Sequence, residues 1–159
     1  KCDAVKLEGG KRIINQINFL IKKKISVMGH LGLLPQTAKG KFKSKGNSSK
    51  ETKQLINDAL LLQKAGVFAI VLECIKSPTA KLITKSLEIP TIGIGSSSNC
   101  DGQILVTDDM LGVSGFYPKF VKKYVNLTFR EICIRIPSYQ NEVKCLIIDS
   151  FVKYPPFYA

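Results

Sequence analysis

The chain has 159 residues, with 24 Lys and Arg against 12 Asp and Glu, a formal charge of +12. Hydrophobic residues make up 45% and charged residues 23%, which excludes collagen-like, low-complexity and fully disordered chains. The length suits one domain, and no apolar run approaches the roughly 18 residues that a membrane span requires.

The chain begins Lys1-Cys2-Asp3, with no initiator Met and no signal-peptide pattern, and is expected to be part of a larger protein. Short apolar runs then alternate with helical patterns. Runs at 4–7, 25–28, 68–72, 91–94 and 104–106 are rich in Val, Ile and Leu, as strands buried on both faces should be. The first helix is expected over 12–24, with Ile13, Ile17, Leu20 and Ile21 on one stripe.

The second helix is expected over 48–65, with the stripe Leu55, Ile56, Ala59, Leu60 and Leu62. Ser48-x-x-Glu51 has capping-box spacing, and Gly66 closes the helix. Ser77-Pro78 is a cap and first-turn pair for a third helix reaching about residue 87. Pro118 opens a further helix, with Phe120, Val121 and Tyr124 inward. This alternation predicts a parallel α/β sheet or barrel. The 94–104 link is too short for a helical crossover, which takes a dozen or more residues, so it should be irregular.

Polar residues cluster where the runs end: Lys6 and Glu8, then His30, then Glu73, then Asp108 and Asp109. In parallel α/β folds these strand ends and the loops after them form the ligand site. Glu73 terminates an apolar run, where desolvation suits a general base; a structural ion pair is an equal reading. Lys6 and Glu8 lie two apart on a strand and share a face, so they pair with each other or bind metal or substrate. His30 is the one histidine, which excludes a multi-histidine metal site within this chain. A metal here would use carboxylates and water, favouring Mg²⁺. Gly93-Ile94-Gly95-Ser96-Ser97-Ser98 reads either as a weak anion cradle or as a turn of close backbone approach.

Of the 24 basic residues, all but Arg12, Arg130 and Arg135 are Lys. The densest stretch, Lys39, Lys41, Lys43, Lys45, Lys50 and Lys53, has one interleaved aromatic, Phe42, and no nucleic-acid motif accompanies it. A solvated loop and helix start is favoured over a nucleic-acid patch. The five cysteines form no CxxC pair, so neither a zinc site nor a disulfide framework is indicated; reduced thiols in the cytoplasm are expected.

Five stretches, in order, resemble the ketopantoate hydroxymethyltransferase family. They are Asp3-Ala4-Val5-Lys6-Leu7-Glu8-Gly9-Gly10, Val27-Met28-Gly29-His30-Leu31-Gly32-Leu33-Leu34-Pro35-Gln36, Ala69-Ile70-Val71-Leu72-Glu73-Cys74, Ile89-Pro90-Thr91-Ile92-Gly93-Ile94-Gly95 and Cys100-Asp101-Gly102-Gln103-Ile104-Leu105-Val106. The resemblance implies a (β/α)8 TIM barrel, of which these motifs look like strands four to eight. Residues 1–127 would be the partial barrel and 128–159 a C-terminal helix with a divergent tail. A complete barrel takes about 250 residues. The family's two Mg²⁺-binding aspartates and a substrate-holding serine lie on the first three strands, and no residue here matches them.

The implied reaction transfers a hydroxymethyl group from 5,10-methylene-tetrahydrofolate to 3-methyl-2-oxobutanoate, with Mg²⁺ assisting enolisation. By resemblance, Glu73 is the base, Lys6 contacts the keto-acid oxygens, Glu8 belongs to the metal site and His30 hydrogen-bonds near the substrate. The sequence does not mark the residues that hold the folate. The implied partners are the 2-oxo acid and folate, with no nucleic acid or membrane, and a homo-oligomer at full length. The segment after Gln36 is shorter and more basic than the usual family loop, Asp108 stands where many members have His, and residues 145–159 do not look like the family's ending. Two alternatives stay open: another Mg²⁺-dependent carbon–carbon lyase or transferase barrel acting on a 2-oxo acid, and a non-catalytic fragment or basic binding module. The isolated chain is expected to bind Mg²⁺ poorly and turn over negligibly.

Overall fold

A computed structural model describes residues 2–36, 43–111 and 120–121. Among the described residues there are five strands: β1 (Ala4–Glu8), β2 (Ser26–Gly32), β3 (Ala69–Glu73), β4 (Thr91–Ile94) and β5 (Gly102–Gln103). All pair in parallel in the order β1-β2-β3-β4-β5. The helices are α1 (Ile14–Lys22), α2 (Ser49–Lys64), α3 (Ser77–Ser86) and a short α4 (Thr107–Leu111). A 3-10 turn, Lys11–Ile13, leads into α1.

α1 is shorter than its apolar stripe suggests. Its first residues tighten into the 3-10 turn, and Lys24 ends it in the left-handed region at φ 60°. Ile25 N then donates to Leu20 O at 3.1 Å. α2 starts as the capping-box spacing predicts: Glu51 N donates to Ser48 Oγ at 3.2 Å. The Glu51 carboxylate reaches one residue further back than the usual box, accepting from Asn47 N at 2.8 Å. Leu55, Ala59 and Leu62 are buried, whereas Leu60, placed on the inward stripe from sequence, is 40% exposed. α3 differs at its cap. Lys76 takes the N-cap position, and Ser77 Oγ instead meets Ser97 Oγ at 2.9 Å.

The fifth strand is Gly102–Gln103, not the apolar run at 104–106. β4 and β5 pair only at Ile92 with Gly102 and Gly93 with Gln103, and a last backbone bond runs from Ile104 N to Gly93 O at 3.0 Å. The 94–104 link is irregular, as its length requires. Asp101 ties that link back to β4, accepting from Thr91 N at 2.8 Å and from Thr91 Oγ1 at 3.0 Å. Asp108 and Asp109 fall in α4 rather than in a strand-end loop. Of the helix expected from Pro118 only Phe120 and Val121 are described, and neither is helical. The expected C-terminal helix and tail at 128–159 lie outside the described residues.

Register separates the two sheet faces. Partners across parallel strands point the same way, and side chains alternate along each strand. Leu7 pairs with Gly29, Gly29 with Ile70, and Leu72 with Gly93. This face packs against the helices through Ile17, Leu55, Ala59, Leu62, Ala80 and Ile83. The opposite face carries Lys6, Glu8, Met28, His30, Ala69, Val71, Glu73, Ile92 and Ile94. Met28, Ala69, Val71, Ile92 and Ile94 form a second, smaller apolar cluster there.

Candidate active site

The polar residues picked out from sequence meet on that second face. Glu8 is the Cα partner of His30, and Gly32 is the partner of Glu73. β2 therefore carries His30 between two carboxylates supplied by its neighbours. His30 Nδ1 lies 3.7 Å from Glu8 Oε1, and Nε2 lies 3.1 Å from Glu73 Oε2. The His30 side chain is fully buried, and the side chains of Glu8 and Glu73 are 7% and 11% exposed. Neither ring nitrogen is aligned for a hydrogen bond. Lys6 shares the face, two residues before Glu8.

The backbone holds the Glu8 carboxylate and the main chain at Glu73. Gln36 N donates to Glu8 Oε2 at 3.3 Å. Leu33 N donates to Glu73 O at 2.8 Å, a contact that requires Gly32 at φ +100°. A Cβ on Gly32 would overlap the Glu73 carbonyl. Ser96 Oγ donates to Leu72 O at 2.7 Å and accepts from Ile75 N at 3.0 Å, fixing the two ends of the Glu73-Cys74 turn. Cys74 occupies that turn at φ 51°. Burial, and secondly the Glu73 charge, push its thiol up to about 11. Gln36, Gly32 and Ser96 lie within the motifs, and each of these contacts has a backbone atom at one end, which residue type alone does not reveal.

In the Gly93–Ser98 segment two hydroxyls are engaged within the chain. Ser96 is committed as described, and Ser97 Oγ accepts from Asn99 N at 3.1 Å beside its contact to Ser77. Gly95, at φ +58°, instead lies where a Cβ would overlap the Phe120 ring, which matches the reading as a turn of close approach. Among the described residues no three His, Cys, Asp or Glu side chains gather closely enough to hold a metal ion. Glu8 is a single carboxylate, and what is described does not by itself make a Mg²⁺ site.

Comparison with known proteins is decisive for the family. The model of "Ketopantoate hydroxymethyltransferase" matches residues 1–146. The chain belongs to the ketopantoate hydroxymethyltransferase family. A 3-methyl-2-oxobutanoate hydroxymethyltransferase of Pelagibacter ubique is 58% identical over 127 residues, covering 80% of this chain and 49% of the relative. The enzyme of the same name from Clostridioides difficile is 56% identical, covering 78% of this chain and 46% of the relative. That from Clostridium beijerinckii is 52% identical over 147 residues, covering 89% and 52%. The chain thus spans about half the length of the curated relatives it matches. The family match agrees with the fold: a parallel sheet with helices, and no described helix long and apolar enough to cross a membrane.

Proposed function

We propose that the protein carrying this chain transfers a hydroxymethyl group from 5,10-methylene-tetrahydrofolate to 3-methyl-2-oxobutanoate in pantothenate biosynthesis, in the cytoplasm. The supporting observation is the meeting of Glu8, His30 and Glu73 on one sheet face in a chain of this family. The five parallel strands are read as part of a (β/α)8 barrel whose interior is that face.

The chemical difficulty is removing a proton from the carbon next to the ketone. Glu73 takes that proton, and the C–H electron pair moves into the enolate. Lys6, on the same face, offsets the negative charge growing on the keto-acid oxygens. The enolate carbon then forms its bond to the donor's one-carbon unit as that unit's two C–N bonds break; water supplies the hydroxyl, and tetrahydrofolate leaves with the proton taken by Glu73 and the one released by water on its two nitrogens. His30 is fully buried between the carboxylates, so it acts through them, setting where Glu8 and Glu73 point. Mg²⁺ would act as a Lewis acid toward the keto acid, with Glu8 near it and the remaining ligands supplied from beyond the described residues.

β1 is a sheet edge among the described residues, with its outer backbone groups left for a further strand. The 159 residues alone are therefore proposed to turn over negligibly; robust ketopantoate formation by them would refute this. For the complete protein the test is α-proton exchange of 3-methyl-2-oxobutanoate in D₂O, followed by NMR. Exchange that Glu73→Gln abolishes, with product formed only when the folate is added, supports the reading. A carbon–carbon bond formed without folate points to a different 2-oxo-acid barrel.

A further inference from the structure

β3 ends at Glu73, and the chain turns at the next residue. Cys74 takes the left-handed region at φ 51°. Outside Gly, Asn and Asp, a residue stays in that region only where its surroundings hold it there. Before Cys74, β3 is paired in the sheet; after it, α3 is anchored in the core by Ala80 and Ile83. Relaxation of Cys74 is therefore taken up between them, at Glu73.

Several bonds that hold this turn run from main chain to main chain. Leu33 N donates to Glu73 O at 2.8 Å, Cys74 N to Ile94 O at 2.9 Å and Lys45 N to Cys74 O at 2.9 Å. A change of side chain leaves those groups in place. Ser96 contributes a contact of another kind. Its hydroxyl donates to Leu72 O at 2.7 Å and accepts from Ile75 N at 3.0 Å, so one oxygen closes both sides of the Glu73-Cys74 pair. A single atom must donate and accept at once, which a Ser or Thr hydroxyl does and an alanine cannot. Leu72 and Ile75 are 0% and 1% exposed, so bulk water does not take over the bonds of that carbonyl and that N–H.

We propose that Ser96 is a positioning residue for the proton-abstraction step. It clamps Cys74 in the left-handed conformation and so keeps the Glu73 carboxylate on the inner sheet face, 3.1 Å from His30 Nε2. It acts through the main chain and touches no reacting atom. The proposal rests on the reading of Glu73 as the base.

The test follows α-proton exchange of 3-methyl-2-oxobutanoate in D₂O by the complete protein, at saturating acid and per folded molecule. The dissociation constant of the acid and the urea midpoint are measured beside it. Ser96→Ala should slow exchange about tenfold to hundredfold, the effect of misplacing a catalytic group by up to about 1 Å. The dissociation constant should change less than about twofold, because the clamp serves the transition state rather than binding. Ser96→Thr, which keeps the hydroxyl, should retain exchange within about threefold. In a Cys74→Gly background Ser96→Ala should cost less than about threefold, because glycine takes the left-handed conformation unaided. A lower midpoint with unchanged exchange in Ser96→Ala makes the hydroxyl purely structural and overturns the proposal. Equal losses in the Ala and Thr variants assign the effect to side-chain volume and overturn it. An undiminished loss in the Cys74→Gly background means that the clamp does not act through Cys74, which overturns it too. Glu73→Gln separates the two readings. Exchange lost there but kept in Ser96→Ala overturns the clamp and leaves the base standing; exchange that survives Glu73→Gln overturns the base, and the clamp with it.

Discussion

Glu73 Oε2 lies 3.1 Å from His30 Nε2, one strand away, although the two residues are 43 positions apart in the chain. This contact sets the direction of the carboxylate proposed to take the substrate proton. Glu73→Gln keeps the size of the side chain and removes its basicity. Exchange of the α-proton should fall by about 10²–10⁴-fold, the usual worth of a positioned general base. Binding of the 2-oxo acid should change far less. The measurement is the deuterium exchange rate by NMR beside the dissociation constant of the keto acid. Retained exchange removes Glu73 as the base.

His30 should matter for stability as well as for rate. His30→Leu leaves the Glu8 and Glu73 carboxylates facing each other across an apolar side chain, with both nearly buried. Leaving buried polar groups without a partner costs about 1–3 kcal/mol. The urea midpoint of the complete protein should fall accordingly, with the slope unchanged. His30→Gln, which restores a polar group, should recover part of the loss. A midpoint unmoved by His30→Leu would mean that the imidazole does not hold the two carboxylates.

Gly32→Ala should harm the site without touching any reactive side chain. The position has φ +100°, and the added Cβ would overlap the Glu73 carbonyl. The backbone strain alone costs about 1–3 kcal/mol. Relief requires moving the end of β3, which lengthens the 2.8 Å bond from Leu33 N and shifts Glu73. Exchange should therefore drop together with the unfolding midpoint. A variant with unchanged exchange and a lower midpoint would separate Gly32 from the positioning of Glu73.

The clustering of polar residues at strand ends is legible in the sequence because period-two alternation and strand ends act locally. Lys6 and Glu8 share a face by spacing, and Glu73 closes an apolar run. The pairing of His30 with both glutamates was not legible, because it depends on register between strands that are distant in sequence. The same limit explains β5. The apolar run 104–106 has strand composition, but pairing with β4 ends at Gln103, one step before it. Ser77 has the place of a cap before Pro78, yet its hydroxyl meets Ser97, 20 residues later. Leu60 fits the helical period but lies on the edge of the stripe, and only the path of the neighbouring chain decides whether that edge is covered. The motif glycines and serines carry their roles through backbone contacts, which residue type alone does not specify.

Cys74 offers a pH-dependent report on the same corner. Burial disfavours its thiolate, the adjacent Glu73 charge disfavours it further, and together they raise its pKa from 9.0 to about 11. Between these values the folded chain keeps a proton that the unfolded chain has lost. The stabilising contribution is therefore complete below about pH 9 and disappears as pH rises through about 11. Because the thiolate is the reactive form, alkylation of Cys74 by iodoacetamide should be slow near pH 8 and should accelerate about tenfold per pH unit up to about 11. Peptide mapping by mass spectrometry separates it from the exposed Cys2, which should be modified first. Glu73→Gln removes the second cause and leaves the first, so the Cys74 profile should shift to lower pH yet stay above the ordinary thiol range. An unshifted profile in that variant would mean that the Glu73 charge does not reach the thiol, and a thiol titrating below 9 in the unaltered protein would contradict its burial at the end of β3.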